Sequence, residues 1–237
     1  MTQILIAVPV LNRPARAQVL ADSVSAATES AHRVLFICSP GDDLEIEACR
    51  ATGCDTLVAP WPAGPGDYAR KINLAATLAK PDEDWLFQAA DDLRFEPGWD
   101  RHALDCARRL QASVVGTNDL GNERVVVGEH STHNLIRLDY VREFGTCDEP
   151  GKVMHEGYDH VYCDDELVRT AKARGVWAPC LDSVVEHLHP DWGKAERDAT
   201  YELGIAHFHD DRVIFERRLP LMTGRTRRWR LWGAKRR

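Results

Sequence analysis

The feature that most constrains the fold is an alternation in the first ninety residues: short apolar runs, each closed by turn formers, are separated by stretches of helix length. Residues 4–10 are a β-branched run ended by Pro9 and Asn12-Arg13-Pro14. Residues 33–38 form a second, closed by Ser39-Pro40-Gly41-Asp42-Asp43, and residues 56–59 a third, followed by Pro60-Trp61-Pro62-Ala63-Gly64-Pro65-Gly66. Residues 85–88 form a fourth. Runs of this length bounded by Gly, Pro, Asn and Asp read as buried strands. Helices are expected between them over about 15–29, 44–52 and 67–78, the last N-capped by Asp67. Strand and helix in strict alternation build a mostly parallel central sheet flanked by helices, an α/β Rossmann-type domain that gathers ligands at the carboxyl ends of its strands.

The second half is less regular. It predicts a helix over 99–111, strands at 113–116, 125–127 and 133–138, a helix beginning near Asp164 and ending at Gly175, and a strand over 184–189 stopped by Pro190. With 44% hydrophobic residues the chain can bury an ordinary core, and no window approaches the roughly 18 uninterrupted apolar residues of a membrane span. Met1-Thr2-Gln3 leads into a strand-like run without a basic leader, so a cytoplasmic protein with no signal peptide is expected. The seven cysteines are scattered without a C-x-x-C pair, which argues for reduced thiols and against a disulfide framework or a zinc ribbon.

Charge is unevenly distributed. The chain carries a net −7, yet residues 223–237 hold seven cations and no acid, so the remainder has twice that acidic excess. Trp229, Leu231 and Trp232 interleave with the cations, a composition suited to contact with an anionic surface such as a membrane or nucleic acid, and equally to a solvated terminus.

Candidate site residues collect where the alternation predicts one end of the sheet. Asn12, Asp42, Asp43, Asp91 and Asp92 all follow strands, whereas unselected polar residues would be shared between both ends. Paired carboxylates at a strand end suit Mn²⁺ or Mg²⁺, which take one or two protein carboxylates and complete their shell with water and substrate phosphate. The same pair also suits a polar turn. Gly66 lets backbone approach a ligand before a helix opens, and Asp67, Arg70 and Lys71 follow, with Arg70 or Lys71 available to a phosphate. No Gly-Lys-Ser/Thr follows, so this is not a P-loop. His187 and His189, two apart on a predicted strand, share one face and can converge on an ion, although zinc would need a third ligand that the spacing does not supply. His130, His133, His155, His160, Tyr158, Asn118, Asp119 and Asn134 crowd the irregular segments and suit recognition of a hydroxylated acceptor.

Taken in order, Val8-Pro9-Val10-Leu11-Asn12-Arg13-Pro14, Ala90-Asp91-Asp92 before Phe95-Glu96-Pro97-Gly98-Trp99, Cys163-Asp164-Asp165-Glu166-Leu167 and Glu186-His187-Leu188-His189 resemble the nucleotide-sugar-dependent glycosyltransferases of the GT-A fold. The resemblance is to family-2-like enzymes and their compact bacteriophage-encoded versions, over roughly residues 4–204. It implies a GT-A-like catalytic domain over 1–222, with a nucleotide-binding half to about 99 and an acceptor half beyond, and a basic tail over 223–237. It assigns metal binding to Asp92, with Asp91 supporting it near the ribose, and adds His187 or His189 to the metal shell. Ala90 stands where the family's Asp-x-Asp element has its first acid. Pro9, Asn12, Arg13, Asp42, Asp43, Gly66, Asp67 and Lys71 fall on the nucleotide side. Asp164 takes the base position ahead of Asp165, and Asp164 as a simple helix N-cap is the alternative.

The implied activity is metal-dependent transfer of a sugar from a UDP- or GDP-sugar to a hydroxyl of a protein, glycan, lipid or modified DNA, with inversion. A sugar nucleotidyltransferase is disfavoured because residues 9–14 contain no glycine. A non-catalytic carbohydrate- or nucleic-acid-binding protein of the same fold is the other alternative.

Overall fold

The computed structural model describes residues 3–223, so the tail expectation for 223–237 lies outside the described residues except for Thr223. The order is β1 (Gln3–Pro9), α1 (Pro14–Ala27), β2 (Ala31–Cys38), α2 (Asp43–Ala51), β3 (Asp55–Val58), α3 (Asp67–Thr77), β4 (Glu83–Gln88), β5 (Leu93–Phe95) and α4 (Trp99–Leu110). It continues with β6 (Val114–Asn118), α5 (Glu123–Val126), β7 (Asn134–Arg137), α6 (Leu138–Glu143), α7 (Cys163–Ala173), β8 (Trp177–His187), α8 (Ala199–Ile205) and α9 (Phe208–Met222). One eight-stranded sheet runs β3-β2-β1-β4-β7-β6-β8-β5. The β3-β2-β1-β4 portion is parallel throughout, as the alternation requires, while β7 is antiparallel to both its neighbours.

The period of two in β1 divides the core. Ile4, Ile6 and Val8 pack with α1 and α4, whereas Leu5 and Ala7 face α3 and α7. Trp99, fully buried at the start of α4, packs at steep ring angles against Phe87 and Phe95, with ring centroids 4.6 and 5.1 Å away. Its indole N–H donates to Thr28 Oγ1 at 3.0 Å, satisfying the one polar atom it buries.

Several expectations are corrected. Residues 125–127 are not a strand: Asn122 accepts a hydrogen bond from Arg124 N and caps the short α5 instead. Gly66, at φ +71°, occupies the N-cap position of α3, and Asp67 is the first helical residue. The strand expected over 184–189 begins at Trp177, bulges where β6 pairing shifts from Thr117↔Cys180 to Asn118↔Val184, and ends at His187. Beyond the bulge it pairs antiparallel with β5, Leu93 opposite His187, which brings the late histidine beside the strand that follows Asp92.

The helix α9 was not foreseen, and it fixes the approach to α7. Asp211 is 1% exposed and accepts hydrogen bonds from Asp159 N, His160 N and Val161 N at 2.6, 2.9 and 2.9 Å. The next residue, Tyr162, holds φ +66°, a left-handed conformation unusual for a non-glycine residue, with its ring stacked on Phe215 at 5.0 Å. Further along, Arg218 pairs with Glu166 at 2.7 Å and Asp148 at 2.7 Å. No helix among the described residues is long and apolar enough to cross a membrane. Asp211→Ala removes the acceptor of three part-buried backbone donors, so it should cost about 2–4 kcal/mol in urea unfolding, with Asp211→Asn recovering part of the loss.

Candidate active site

Asn12 follows β1 in a left-handed turn at φ +55°, a conformation asparagine tolerates. Its N–H donates to Asp42 Oδ2 at 2.7 Å, and Arg13 N donates to Glu45 Oε2 at 2.5 Å. These two bonds anchor the β1–α1 turn to the start of α2 and aim the Arg13 side chain across the carboxyl end of the sheet. There its Nη1 lies 3.0 Å from Asp91 Oδ1 and 3.6 Å from Asp92 Oδ2, while its other edge grips Asp198 through two bonds of 2.8 Å. Arg16, one turn along α1, adds contacts of 3.7 and 3.4 Å to Asp91 and Asp92.

Asp92 also meets His187: Oδ1 is 3.2 Å from Nε2, and the segments are tied by Leu188 N donating to Asp92 O at 2.8 Å. Burial opposes both carboxylate charges. For Asp91 burial prevails, with repulsion from Asp92 adding to it, and the carboxyl is pushed up. For Asp92 the His187 ring and Arg13 outweigh burial and hold the carboxylate below its ordinary range. The pair is thereby split into one firmly ionised acid and one that takes up a proton more readily.

The donor set fits a divalent cation. Asp92 Oδ1 and His187 Nε2 are buried 3.2 Å apart, a spacing that one cation can bridge, and Asp92 Oδ1 makes no aligned hydrogen bond among the described residues. A carboxylate oxygen beside an imidazole suits Mn²⁺, and also Mg²⁺ when substrate phosphate oxygens complete the shell. His189 does not share a strand face with His187, because the strand has already ended. It precedes the 3₁₀ turn Pro190–Trp192, accepts from Asp191 N, and packs its ring 4.8 Å from that of His187 with Tyr201 Oη 2.8 Å from its Nε2. Burial, with repulsion from His187, lowers His189 to about 4, which keeps a neutral nitrogen near the site. His133, lowered to about 4 by burial and His187, lies on the other side of His187 at a ring distance of 5.0 Å.

Asp164 and Asp165 open α7. Asp164 Oδ2 is 3.2 Å from His130 Nε2, and Asp165 pairs with Arg124 at 2.9 Å. Tyr68 and His160, whose rings meet at 5.9 Å, both feel the charges of Asp92 and Asp164, so the two acids share one neighbourhood.

Other expected residues fall elsewhere. Pro9 ends β1 and is buried, Asp42 caps α2, and Asp43 is its first residue. At Gly66 a Cβ would come within 2.6 Å of Glu156 O, so its close approach is to the 156–159 loop. Lys71 is 1% exposed, its ammonium held by Asp67 at 2.6 Å, Ser39 Oγ at 2.7 Å and Val10 O at 2.9 Å. Its ammonium is therefore not free to serve as a phosphate partner. Tyr158 turns inward, donating to Glu166 Oε2 at 2.8 Å, and Asn134 pairs with Ser131 and Gln88.

Sequence reasoning missed Arg16, Glu45, Asp198 and Tyr201. Arg16 was findable, three residues after Arg13 and hence on the same helix face. Asp198 lies 185 residues from Arg13 and carries no local signal.

No family model matches the chain, and no curated protein matches it in sequence. Solved structures do. Glucosyl-3-phosphoglycerate synthase from Mycobacterium tuberculosis, in complex with Mn²⁺, UDP and phosphoglyceric acid, superposes with a TM-score of 0.62 at 13% identity, covering 95% of this chain and 79% of that one. S. aureus TarS in complex with UDP gives 0.57 at 10% identity, covering 78% and 59%. A mycobacterial protein gives 0.54 at 16% identity, covering 86% and 70%. At such identities the likeness establishes the fold, the GT-A-like α/β architecture that the sequence resemblance implied.

The enclosed Lys71 yields a test of its structural role. Lys71→Met should lose about 2–4 kcal/mol in urea unfolding by leaving the buried Asp67 carboxylate without its ammonium, and adding Asp67→Asn should return a substantial part of it.

Proposed function

We propose that this chain is a metal-dependent glycosyltransferase that moves a sugar from a nucleoside-diphosphate sugar, UDP- or GDP-linked, to a hydroxyl acceptor. The observation that carries the proposal is the meeting of Asp92 and His187 just past the carboxyl end of β4, with Asp164 near enough that His160 interacts with both acids. The fold likeness supports it, since similar structures were solved with Mn²⁺ or Mg²⁺ and UDP.

Asp92 and His187 would hold Mn²⁺ or Mg²⁺, which would offset charge on the departing diphosphate, with His189 behind them as a neutral partner. Asp91 and Arg13 line the same wall, and the Asn12–Asp42 contact shapes the nucleotide side with Asp43 next to it. Asp164 is held below the ordinary carboxylate range: burial raises it, and the His130 contact more than reverses this. An ionised carboxylate there accepts the proton of the acceptor hydroxyl as that oxygen bonds to the anomeric carbon. The carbon–oxygen bond to the diphosphate breaks, its electron pair leaves with the nucleoside diphosphate, and the configuration inverts. Asp165, committed to Arg124, is the weaker base candidate. Acceptors of the protein, glycan, lipid or modified-DNA class fit the reading, as does a cytoplasmic protein whose 223–237 tail meets an anionic surface.

With Mn²⁺ and a panel of UDP-, GDP- and dTDP-sugars, one donor should raise the melting temperature and release nucleoside diphosphate. Asp92→Asn should abolish the metal-dependent stabilisation, whereas Asp164→Asn should keep it and slow release by roughly 10²–10⁴-fold. No donor binding, together with an Asp92→Asn protein that behaves as wild type, would overturn the proposal.

A further inference from the structure

We infer that His130 is the positioning residue for the Asp164 carboxylate, an assignment that rests on the reading of Asp164 as the base. His130 is 3% exposed, and its Nε2 lies 3.2 Å from Asp164 Oδ2. Its Nδ1 has no hydrogen-bond partner among the described residues, the facing Asp165 Oδ1 being 4.0 Å away. The ring therefore makes one hydrogen bond, and that bond goes to Asp164. A ring buried for packing alone would be served equally by an apolar side chain, without leaving a nitrogen unpaired.

The loop that carries His130 is fixed from several directions. His130 N and Glu129 N both donate to Arg124 O, at 3.0 and 2.8 Å, and Lys172 Nζ donates to Glu129 O. Ser131 is fully buried, donates to Asn134 Oδ1 at 2.6 Å and accepts from Trp177 Nε1 at 3.1 Å. It fills the space left by Gly116, where a Cβ would come within 2.3 Å of the Ser131 Cβ. A ring on so constrained a loop can hold a carboxylate to the tolerance that proton transfer requires.

The two neighbouring acids are sorted between different cations: Asp165 goes to Arg124 at 2.9 Å, and Asp164 is left to the imidazole. A guanidinium on Asp164 would hold it too acidic to accept a proton, whereas an imidazole hydrogen bond keeps it ionised and leaves useful basicity. The other titratable groups around Asp164 are Asp165 and Cys163 on α7, Tyr68 on α3, and His133 and His160 in loops. His130 is the group that hydrogen-bonds its carboxylate through a side chain.

The test follows the Asp164 side-chain carboxyl by ¹³C-detected NMR through a pH titration of the full chain. His130→Leu should raise the Asp164 midpoint by about one pH unit or more, and His130→Gln, whose amide can donate from a similar place, should keep most of the wild-type depression. An Asp164 midpoint that is the same in wild type and His130→Leu would overturn the inference. Should His130→Leu fail to fold, ¹⁵N spectra of the wild-type ring decide: the proton is expected on Nε2, and an Nδ1–H tautomer would overturn the inference. Failure of the glycosyltransferase reading is a separate result, namely Asp164→Asn releasing UDP from UDP-glucose and Mn²⁺ as fast as wild type.

Discussion

Two adjacent carboxylates, each 7% exposed, cannot end the same strand without nearby positive charge, and the carboxyl end of this sheet is organised around supplying it. Arg13 is the principal source. Its guanidinium touches Asp91 and Asp92 with one nitrogen and spends its bidentate edge on Asp198, so it joins the β1 turn, the β4 end and the start of α8. Arg13 can do this only because its own backbone is fixed by Glu45 while the left-handed Asn12 is fixed by Asp42. Arg16 and His187 complete the compensation. Asp42 and Glu45, at the start of α2, thus act as structural anchors for the cation that makes the central acids tolerable.

A second ionic network lies beneath the first. Lys71, Asp67, Ser39 and the carbonyl of Val10 form a buried cluster that joins α3 to the ends of β1 and β2, and Trp61 Nε1 donates to Asp67 at 2.9 Å. Its charges are satisfied internally and have no capacity left for a ligand. The upper network differs in kind: Asp92 Oδ1, His187 Nδ1 and Arg16 Nη1 make no hydrogen bond among the described residues, although Arg16 Nη1 stays within ion-pair distance of both acids. Buried polar atoms without hydrogen bonds are costly, and the strand-end acids bear a cost that Lys71 and Asp67 do not.

The first half of the fold was legible because β1 and β4 are buried on both faces and its turns carry strong punctuation, as at Pro9, Pro40-Gly41 and Pro65-Gly66. The second half was not. Residues 125–127 are a β-branched run that the Asn122 cap turns into a helix, and an apolar triplet cannot reveal its partner. Asp91, Asp92 and His187 were readable as a set of chemistries, and Asp92 with His187 do come together. What makes them a site, the antiparallel pairing of β5 with β8 and the reach of Asp198 to Arg13, depends on contacts across 90 to 185 residues that leave no periodic trace. Lys71 misled because a cation early in a helix reads alike whether its ammonium points into a cleft or into the core.

The Asp211 cap has a consequence for how the molecule matures. The helix that carries it is made some fifty residues after the backbone groups it satisfies. While the nascent chain lengthens, the 159–161 backbone donors and the left-handed Tyr162 have only water for a partner, and the start of α7 has no fixed direction. The sheet contains most of its own partners by the time β8 is complete, whereas the segment leading into α7 gains its Asp211, Phe215 and Arg218 contacts when α9 docks. A chain interrupted between α7 and α9 would present the strand-end acids without the contacts that order the approach to Asp164.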